Sequence, residues 1–174
     1  TIPSRDLKAQ NYDLEVLDRN KDFLHDVQVA SSTLGLPTDA ILAEFGPGQF
    51  EINFKHTRNI LDAADTAVFF KRLVRNIAED HGKEATFMAK PYVNFPGNGM
   101  HVHVSMLNDN EENIFKGSPV LSTKLKSAVG GLVSTMRELQ AIYAPNLNSY
   151  RRFRSNSFAP SFPDWSIDNR NASI

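Results

Sequence analysis

Three stretches of the chain place apolar residues three or four positions apart, which is the spacing of an amphipathic helix. They cover about Asp18 to Leu34, then 59–81, then about Thr123 to Ala141. Gly35 and Gly82 directly follow the first two stretches, at the position where glycine commonly ends a helix. The pattern therefore predicts three helices, with segments of a different character between them.

In parts of the remaining sequence, apolar and polar residues alternate with the period of a β-strand. Residues 41–56 contain two short runs around the turn Gly46-Pro47-Gly48, which predicts a hairpin. Further strands are predicted at 85–90, at 100–107 and from Trp165 onward. The runs at 50–54 and 101–106 each have one polar and one apolar face, as half-buried strands do.

The composition is that of an ordinary globular protein, and it excludes several classes of function. Of the 174 residues 41% are hydrophobic, and 19 Lys and Arg nearly balance 20 Asp and Glu. A net charge of -1 gives no overall basic field for nucleic acid or an anionic membrane. The absence of cysteine excludes disulfide scaffolds, thiolate metal sites and cysteine nucleophiles.

The sequence also indicates where the protein resides. No apolar run approaches the roughly 20 residues that span a bilayer, and the first residues lack the apolar core of a signal peptide. We therefore expect a cytoplasmic protein with no membrane partner and no nucleic-acid partner. Because the sequence starts at Thr1 without methionine and stops in what looks like a strand, we also expect a piece of a longer polypeptide.

Two glutamates flank the predicted turn. If the runs on either side pair as neighbouring strands, Glu44 and Glu51 can converge on one side of the sheet. Two converging carboxylates repel each other unless a cation lies between them, and carboxylate oxygens suit Mg²⁺ or Mn²⁺. Two surface glutamates near a hairpin would give the same pattern, so the motif alone leaves both interpretations open.

A predicted strand with two histidines carries the second group of candidates. With period two, His101, His103 and Ser105 share its polar face. Two imidazoles there can bind a divalent metal or a phosphate, although solvated histidines on an exposed sheet give the same pattern. Gly97 and Gly99 precede the strand, where glycine allows a positive φ or the close approach of a ligand to the backbone. An ordinary turn is the alternative.

Arginine is concentrated near the end of the sequence. Guanidinium groups bind carboxylate or phosphate through two parallel hydrogen bonds, so an arginine-rich loop beside a metal-binding face indicates an anionic substrate and a transferred phosphate. A solvated basic loop is the alternative. The arginines in question are Arg151, Arg152, Arg154 and Arg170.

Four motifs in a fixed order are more specific than any one of them. They are EFGPGQFE at 44–51, KPYVNFPGNGMHVHVS at 90–105, NSYRR at 148–152 and DNRNASI at 168–174. In this order they resemble the glutamine synthetase superfamily over roughly residues 30–174. The resemblance implies an α+β fold of the glutamine synthetase/guanido kinase-like type, in which a curved antiparallel sheet has flanking helices. It also implies that residues 1–174 form part of that catalytic domain.

The resemblance further implies a reaction and a role for each candidate. Enzymes of this superfamily use ATP to phosphorylate the γ-carboxylate of glutamate, and an amine then displaces the phosphate to leave an amide. Arg152 is implied to hold the glutamate carboxylate, and Arg170 to stabilise the phosphate in transfer. The implied ligands of Mg²⁺ or Mn²⁺ are Glu44, Glu51 and His101; the implied ATP contacts are His103, Ser105 and Arg170; the implied glutamate contacts are Gly97, Asn98 and Arg152.

One position departs from the ammonia-using members of the superfamily. Those enzymes carry a glutamate six residues after the NSYRR-type arginine, where it helps to bind and deprotonate ammonium. Here the residue is Phe158, and an apolar side chain cannot hold ammonium. The wording of GPGQFEIN and YRRF is also closer to the γ-glutamylpolyamine synthetase branch. The prediction is a ligase that joins glutamate to a polyamine or another larger amine through γ-glutamyl phosphate.

Three alternatives stay open: a glutamine synthetase that uses ammonia, a non-catalytic structural protein of the same superfamily, and an unrelated metal-binding module. Members of the superfamily have an N-terminal β-grasp domain and further ligands in an E-x-E strand and a C-terminal segment. Their sites lie between the subunits of a ring-type homo-oligomer, a dodecamer by resemblance. Because this sequence lacks those parts, we expect the 174-residue piece alone to be inactive.

Overall fold

The computed structural model divides into two compact units. It describes residues 9–117, 121–154, 157–169 and 172–174. Unit 1 is Thr1–Phe87 with Asn94–Pro96, and unit 2 is Met88–Val93 with Gly97–Ile174. Within the described ranges, no helix is both long enough and apolar enough to cross a membrane.

Unit 1 combines helices with an antiparallel pair of strands. Its longest helix confirms the prediction for 59–81: the side chain of Asn59 accepts a hydrogen bond from the Leu61 N–H at its start, and Gly82 follows with φ of 64°. Helices and paired strands in one unit agree with the predicted α+β class. The elements are α1 Leu14–Arg19, α2 Lys21–Thr33, β1 Thr38–Ala43, β2 Phe50–Phe54 and α3 Ile60–Asp80.

The first predicted helix corresponds to α2, and the short helix α1 precedes it in a stretch where none was predicted. Asn20 separates them, since its φ of -113° and ψ of 13° leave the helical range. The earlier helix starts at Asp13, whose carboxylate accepts hydrogen bonds from the N–H groups of Glu15 and Val16. This cap satisfies backbone donors that a helix start leaves unpaired, so the mixed pattern before residue 18 still folds as a helix.

The core of unit 1 lies between α2, α3 and β2. Its buried residues are Val27, Phe70, Leu73 and Val74, and partly buried Ile52 packs against them. The ring of Phe54 meets that of Phe70 edge to face, with 5.1 Å between centroids. Since Ile52 and Phe54 both face the helices, the predicted alternation along β2 is confirmed, and Glu51 lies on the opposite face.

Unit 2 contains three helices in its described part: α4 Thr123–Thr135, α5 Gln140–Tyr143 and α6 Leu147–Tyr150. The third predicted helix is therefore shorter than expected, since α4 ends at Thr135. Near this end the hydroxyls of Ser134 and Thr135 both donate hydrogen bonds to the carbonyl of Gly131, at 2.9 and 2.8 Å. Such bonds compete with the backbone pattern of a helix, and Gly131 adds little helix propensity.

Three predicted strands are wrong in the described residues: 85–90, 100–107 and the segment from Trp165. In the part of the chain that the structure describes, the only strand-type bridge near them joins Leu107 and Asn113. Alternation makes a segment suitable for a strand, but a strand exists only where a neighbour supplies hydrogen bonds. The apolar face predicted for 101–106 is not buried either, because its residues Val102 and Val104 are 69% and 71% exposed.

The core of unit 1 can be tested with two valines of α2. Val27→Ala should lower the free energy of unfolding by about 2 kcal/mol, because Val27 is 2% exposed and its methyl groups would leave a cavity. Val29→Ala is the matched control, since Val29 is 50% exposed and should cost less than about 0.5 kcal/mol. Urea unfolding of both variants measures the difference, and equal costs would contradict this core.

Candidate functional site

The hairpin of unit 1 brings two of the candidate metal ligands to one face. β1 and β2 are antiparallel, with Leu42 opposite Glu51 and Ala43 opposite Phe50. The register continues beyond β1, where the Glu44 N–H donates to the Gln49 carbonyl at 2.9 Å. Glu44 and Glu51 are therefore diagonal neighbours on the same face. Such positions lie about 7–8 Å apart, within reach of long side chains.

Two glutamines fix the turn between these glutamates. The side chain of Gln49 accepts from the Gly46 N–H at 3.1 Å, while that of Gln10 accepts from the Gly48 N–H at 3.1 Å. The Gln10 amide also donates to the Gln49 carbonyl at 2.9 Å. Gln10 is buried, and Gly48 has the φ of 70° that favours glycine. The turn that carries Glu44 is thus held from both sides.

In unit 2, the glycine loop lies on the segment 88–90. The Asn98 N–H donates to the carbonyl of Ala89 at 2.9 Å, and the Asn98 side chain donates to the carbonyl of Met88 at 2.8 Å. A Cβ on Gly97 would overlap the carbonyl oxygen of Ala89. Only glycine fits this approach of two backbone segments.

The same loop lies against Arg152, and we call Gly97, Asn98, Gly99 and Arg152 the arginine cradle. A Cβ on Gly97 would lie 2.9 Å from Arg152 Nε, and a Cβ on Gly99 would lie 3.2 Å from Nη2. The absence of both side chains lets the guanidinium approach the loop. The structure thus brings together Gly97, Asn98 and Arg152, the three residues for which the resemblance implies contact with glutamate.

Burial gives Arg152 an unusual electrostatic position. Desolvation lowers the pKa of its guanidinium, because removal from water disfavours the charged form. Its Nε is buried and has no hydrogen-bond partner among the described residues. A buried donor without a partner is costly, and a carboxylate or phosphate is the group that guanidinium binds most strongly. The arginine cradle therefore has the chemistry of an anion site.

The other candidates of unit 2 are less constrained. His101, His103 and Ser105 are exposed. They stand at alternate positions, but the strand that was predicted to align them is absent from the described residues. Arg170 lies outside the described residues, so its predicted contact with the transferred phosphate stays a prediction. Arg151, which precedes Arg152 in the sequence, is exposed, as expected of a solvated cation.

The donor set partly suits a divalent metal. Within the described ranges, no group of three or more His, Asp or Glu side chains could hold a metal ion. Glu44 and Glu51 nevertheless offer carboxylate oxygens on one hairpin face, which is the ligand type that Mg²⁺ and Mn²⁺ prefer. The Glu44 carboxylate accepts a hydrogen bond from the Phe45 N–H at 3.1 Å. The metal role of these residues and of His101 stays a prediction.

Two further residues of the site were missed by sequence reasoning. Asn148 belongs to the NSYRR motif, yet its side chain binds the backbone of Lys90, 58 positions away. The hydroxyl of Ser157 donates a hydrogen bond to the Arg152 carbonyl. A motif match marks Asn148 as a candidate, but no local pattern names a partner so far along the chain.

Comparison with known proteins decides the family. The family model described as "Glutamine synthetase, catalytic domain" matches residues 2–174. The chain belongs to the glutamine synthetase family. It is 41% identical over 171 residues to γ-glutamylputrescine synthetase of Escherichia coli (strain K12), covering 98% of this chain and 36% of that protein. It is 38% identical over 157 residues to glutamate–isopropylamine ligase of a Pseudomonas species, covering 88% and 34%.

A solved structure of the family supports the predicted fold class. The GmaS/ADP complex in its first conformation is similar with a TM-score of 0.88 and 31% sequence identity, covering 99% of this chain and 42% of that one. The prediction of a glutamine synthetase-type α+β fold is confirmed. The chain spans about a third of the length of the curated relatives it matches.

The arginine cradle can be tested by adding one methyl group at two neighbouring glycines. Gly97→Ala should lower the free energy of unfolding by about 1–3 kcal/mol, because the Cβ would meet the backbone of Ala89. Gly99→Ala is the matched control: its Cβ would meet only the guanidinium end of Arg152, which can move, so it should cost less. Urea unfolding measures both, and equal costs would contradict the close approach at Gly97.

Proposed function

We propose that the complete protein carrying these residues is an ATP-dependent ligase of the glutamine synthetase family. It joins the γ-carboxylate of glutamate to an amine through γ-glutamyl phosphate, and the amine is a polyamine or another amine larger than ammonia. Two relatives whose names contain an amine other than ammonia support the proposal. One is a γ-glutamylputrescine synthetase, and the other is a glutamate–isopropylamine ligase.

The arginine cradle supports glutamate as the acid substrate. The α-carboxylate of glutamate can accept hydrogen bonds from the guanidinium of Arg152, including its buried Nε. Gly97 and Asn98 bring the loop backbone close to the same group. These residues bind and orient the substrate, which is how enzymes of phosphoryl transfer obtain much of their rate.

Phe158 is the observation that carries the choice of amine. It occupies the position that holds glutamate in the ammonia-using relatives of the resemblance, and its side chain is 69% exposed. Its φ of 58° is uncommon for a bulky residue and marks a constrained backbone. The bond from Ser157 to the Arg152 carbonyl joins this loop to the arginine cradle. An apolar ring there favours the alkyl part of an amine over ammonium.

ATP and a divalent metal complete the proposal. Glu44 and Glu51 would hold Mg²⁺ or Mn²⁺ with His101, while His103, Ser105 and Arg170 would contact ATP. When bound, the metal neutralises charge on the phosphates during transfer. Arg152 holds the glutamate carboxylate, and Arg170 is proposed to stabilise the phosphate in transfer. We also propose a ring-type homo-oligomer and a cytoplasmic location for the complete protein, as expected for the family.

The acceptor can be tested with a panel of amines. The complete protein, given ATP and glutamate, should release phosphate faster with an alkylamine or polyamine than with ammonium, because Phe158 offers no anion to ammonium. Phosphate release at equal amine concentrations measures this. Ammonia as the best acceptor would instead make the protein a glutamine synthetase, and no release with any amine would favour a structural role.

One substitution tests the residue behind this preference. Phe158→Glu should raise the ratio of kcat/KM for ammonium to that for the best amine by about tenfold or more, since it adds a carboxylate for ammonium. Phe162→Glu is the matched control: Phe162 is 72% exposed in the same loop, so the charge is equal but the position differs. An unchanged ratio for Phe158→Glu, or the same change in both variants, would contradict the role of Phe158.

The metal site can be tested by binding of Mn²⁺. Glu44→Gln and Glu51→Gln should each weaken binding by about tenfold or more, because each removes one carboxylate while keeping the shape of the side chain. Glu84→Gln, at an exposed position of unit 1, is the control. Calorimetric titration of the complete protein measures the affinities. Unchanged Mn²⁺ affinity in both hairpin variants would contradict a metal site at Glu44 and Glu51.

A further inference from the structure

Asn148 makes two hydrogen bonds with the backbone of one residue. Its Oδ1 accepts from the Lys90 N–H at 2.8 Å, and its Nδ2 donates to the Lys90 carbonyl at 2.9 Å. An N–H can only donate and a carbonyl can only accept, so the pair fixes the orientation of the amide. We call these two bonds the Asn148 clamp.

The clamp satisfies backbone groups that have no strand to pair with. Lys90 is 8% exposed, and 85–90 forms no strand in the described residues. Buried N–H and C=O groups need partners, because an unpaired one costs free energy comparable to a lost hydrogen bond. The carboxamide of Asn148 presents one donor and one acceptor side by side, as a neighbouring strand would.

The clamp joins the two halves of the arginine cradle. On one side, Met88 and Ala89 come immediately before Lys90 in the sequence, and their carbonyls accept hydrogen bonds from Asn98. On the other side, Asn148 lies in α6, and the Arg152 N–H donates to the carbonyl of the next residue, Ser149, at 3.1 Å. The clamp therefore links the backbone that holds the glycine loop to the helix that precedes Arg152, in addition to the direct contact between the loop and the guanidinium.

We infer that Asn148 is a positioning residue that sets the distance between Arg152 and the Gly97–Gly99 backbone, and thereby the affinity for the substrate carboxylate. This inference rests on the proposed function. Asn148 itself has no assigned contact with substrate. Its effect should fall on glutamate, whose carboxylate Arg152 would hold, and not on ATP.

Asn148→Asp tests the inference in the complete protein. The carboxylate keeps the shape of the side chain and still accepts from the Lys90 N–H, but it places a negative oxygen against the Lys90 carbonyl. The KM for glutamate should rise by about tenfold, the size of effect expected when a buried hydrogen bond is lost. The KM for ATP should change by less than about twofold.

Asn146→Asp is the matched control. It makes the same change of charge two residues earlier, where the side-chain oxygen of Asn146 caps α6 by accepting from the Ser149 N–H at 3.1 Å. Aspartate keeps that acceptor, so the KM for glutamate should stay within about twofold of the wild-type value. If Asn146→Asp raises it as much as Asn148→Asp does, the effect comes from charge on α6 and the positioning role is wrong.

Hydrogen exchange gives a second readout that needs no turnover. In the wild-type protein two amides should be protected from exchange. The Lys90 amide donates to Asn148 Oδ1, and the Asn98 amide donates to the Ala89 carbonyl. Both should exchange faster in Asn148→Asp, because repulsion between the carboxylate and the Lys90 carbonyl loosens the whole clamp, and both should stay protected in Asn146→Asp. If Asn148→Asp does not fold, Asn148→Ser removes the paired bonds without adding charge and takes its place. Exchange of the wild-type Lys90 amide at the rate of an open chain would overturn the clamp.

The outcomes separate this inference from the proposed function. If neither ammonia nor any amine of the panel makes the wild-type protein release phosphate, the proposed function is wrong. The part of the inference that concerns the substrate is then wrong as well. If the wild-type protein is active but Asn148→Asp leaves the KM for glutamate unchanged, the positioning role is wrong and the proposed function stands. An equal rise in the KM values for glutamate and ATP would also overturn the positioning role, because it indicates general damage.

Discussion

The guanidinium of Arg152 lies against a loop whose glycines carry no side chain, and the arginine cradle of unit 2 depends on this close approach. Gly97 has no room for a Cβ, and the side chain of Asn98 holds the loop onto the segment before Lys90. Burial removes water from the arginine and leaves Nε without a partner in the described residues. A cation in this state interacts more strongly with an anion than a solvated one does.

The hairpin of unit 1 also holds charged side chains on a fixed backbone, but their charge is negative. The register places Glu44 and Glu51 on one face, and the core-facing side chains of β2 prevent a slip of the register. Gln10 and Gln49 fix the turn, so the two carboxylates are carried by rigid backbone. The net charge of -1 thus hides a local separation of acidic and basic groups between the two units.

The elements that could be predicted from the sequence are those whose signal is local. Helix α3 follows from its apolar stripe and Gly82, and the hairpin follows from alternation around the turn at Gly46. The strand predicted at 100–107 is absent because pairing depends on a neighbour elsewhere in the chain, which alternation does not supply. The motifs pointed to Gly97 and Arg152. The bond from Asn148 to Lys90 could not be predicted, because it too depends on a partner far along the chain.

The distance along the chain between Asn148 and Lys90 has a consequence for the order of folding. Glu44 and Gln49 come together by closing a short turn, whereas the Asn148 clamp must bring together residues 58 positions apart. Closing a longer loop costs more chain entropy, and hairpins form within microseconds. The hairpin with the carboxylates should therefore form early, and the loop that receives the arginine should be among the last parts to become ordered. The anion site would then also open first under mild denaturing conditions, while the core of unit 1 is still folded.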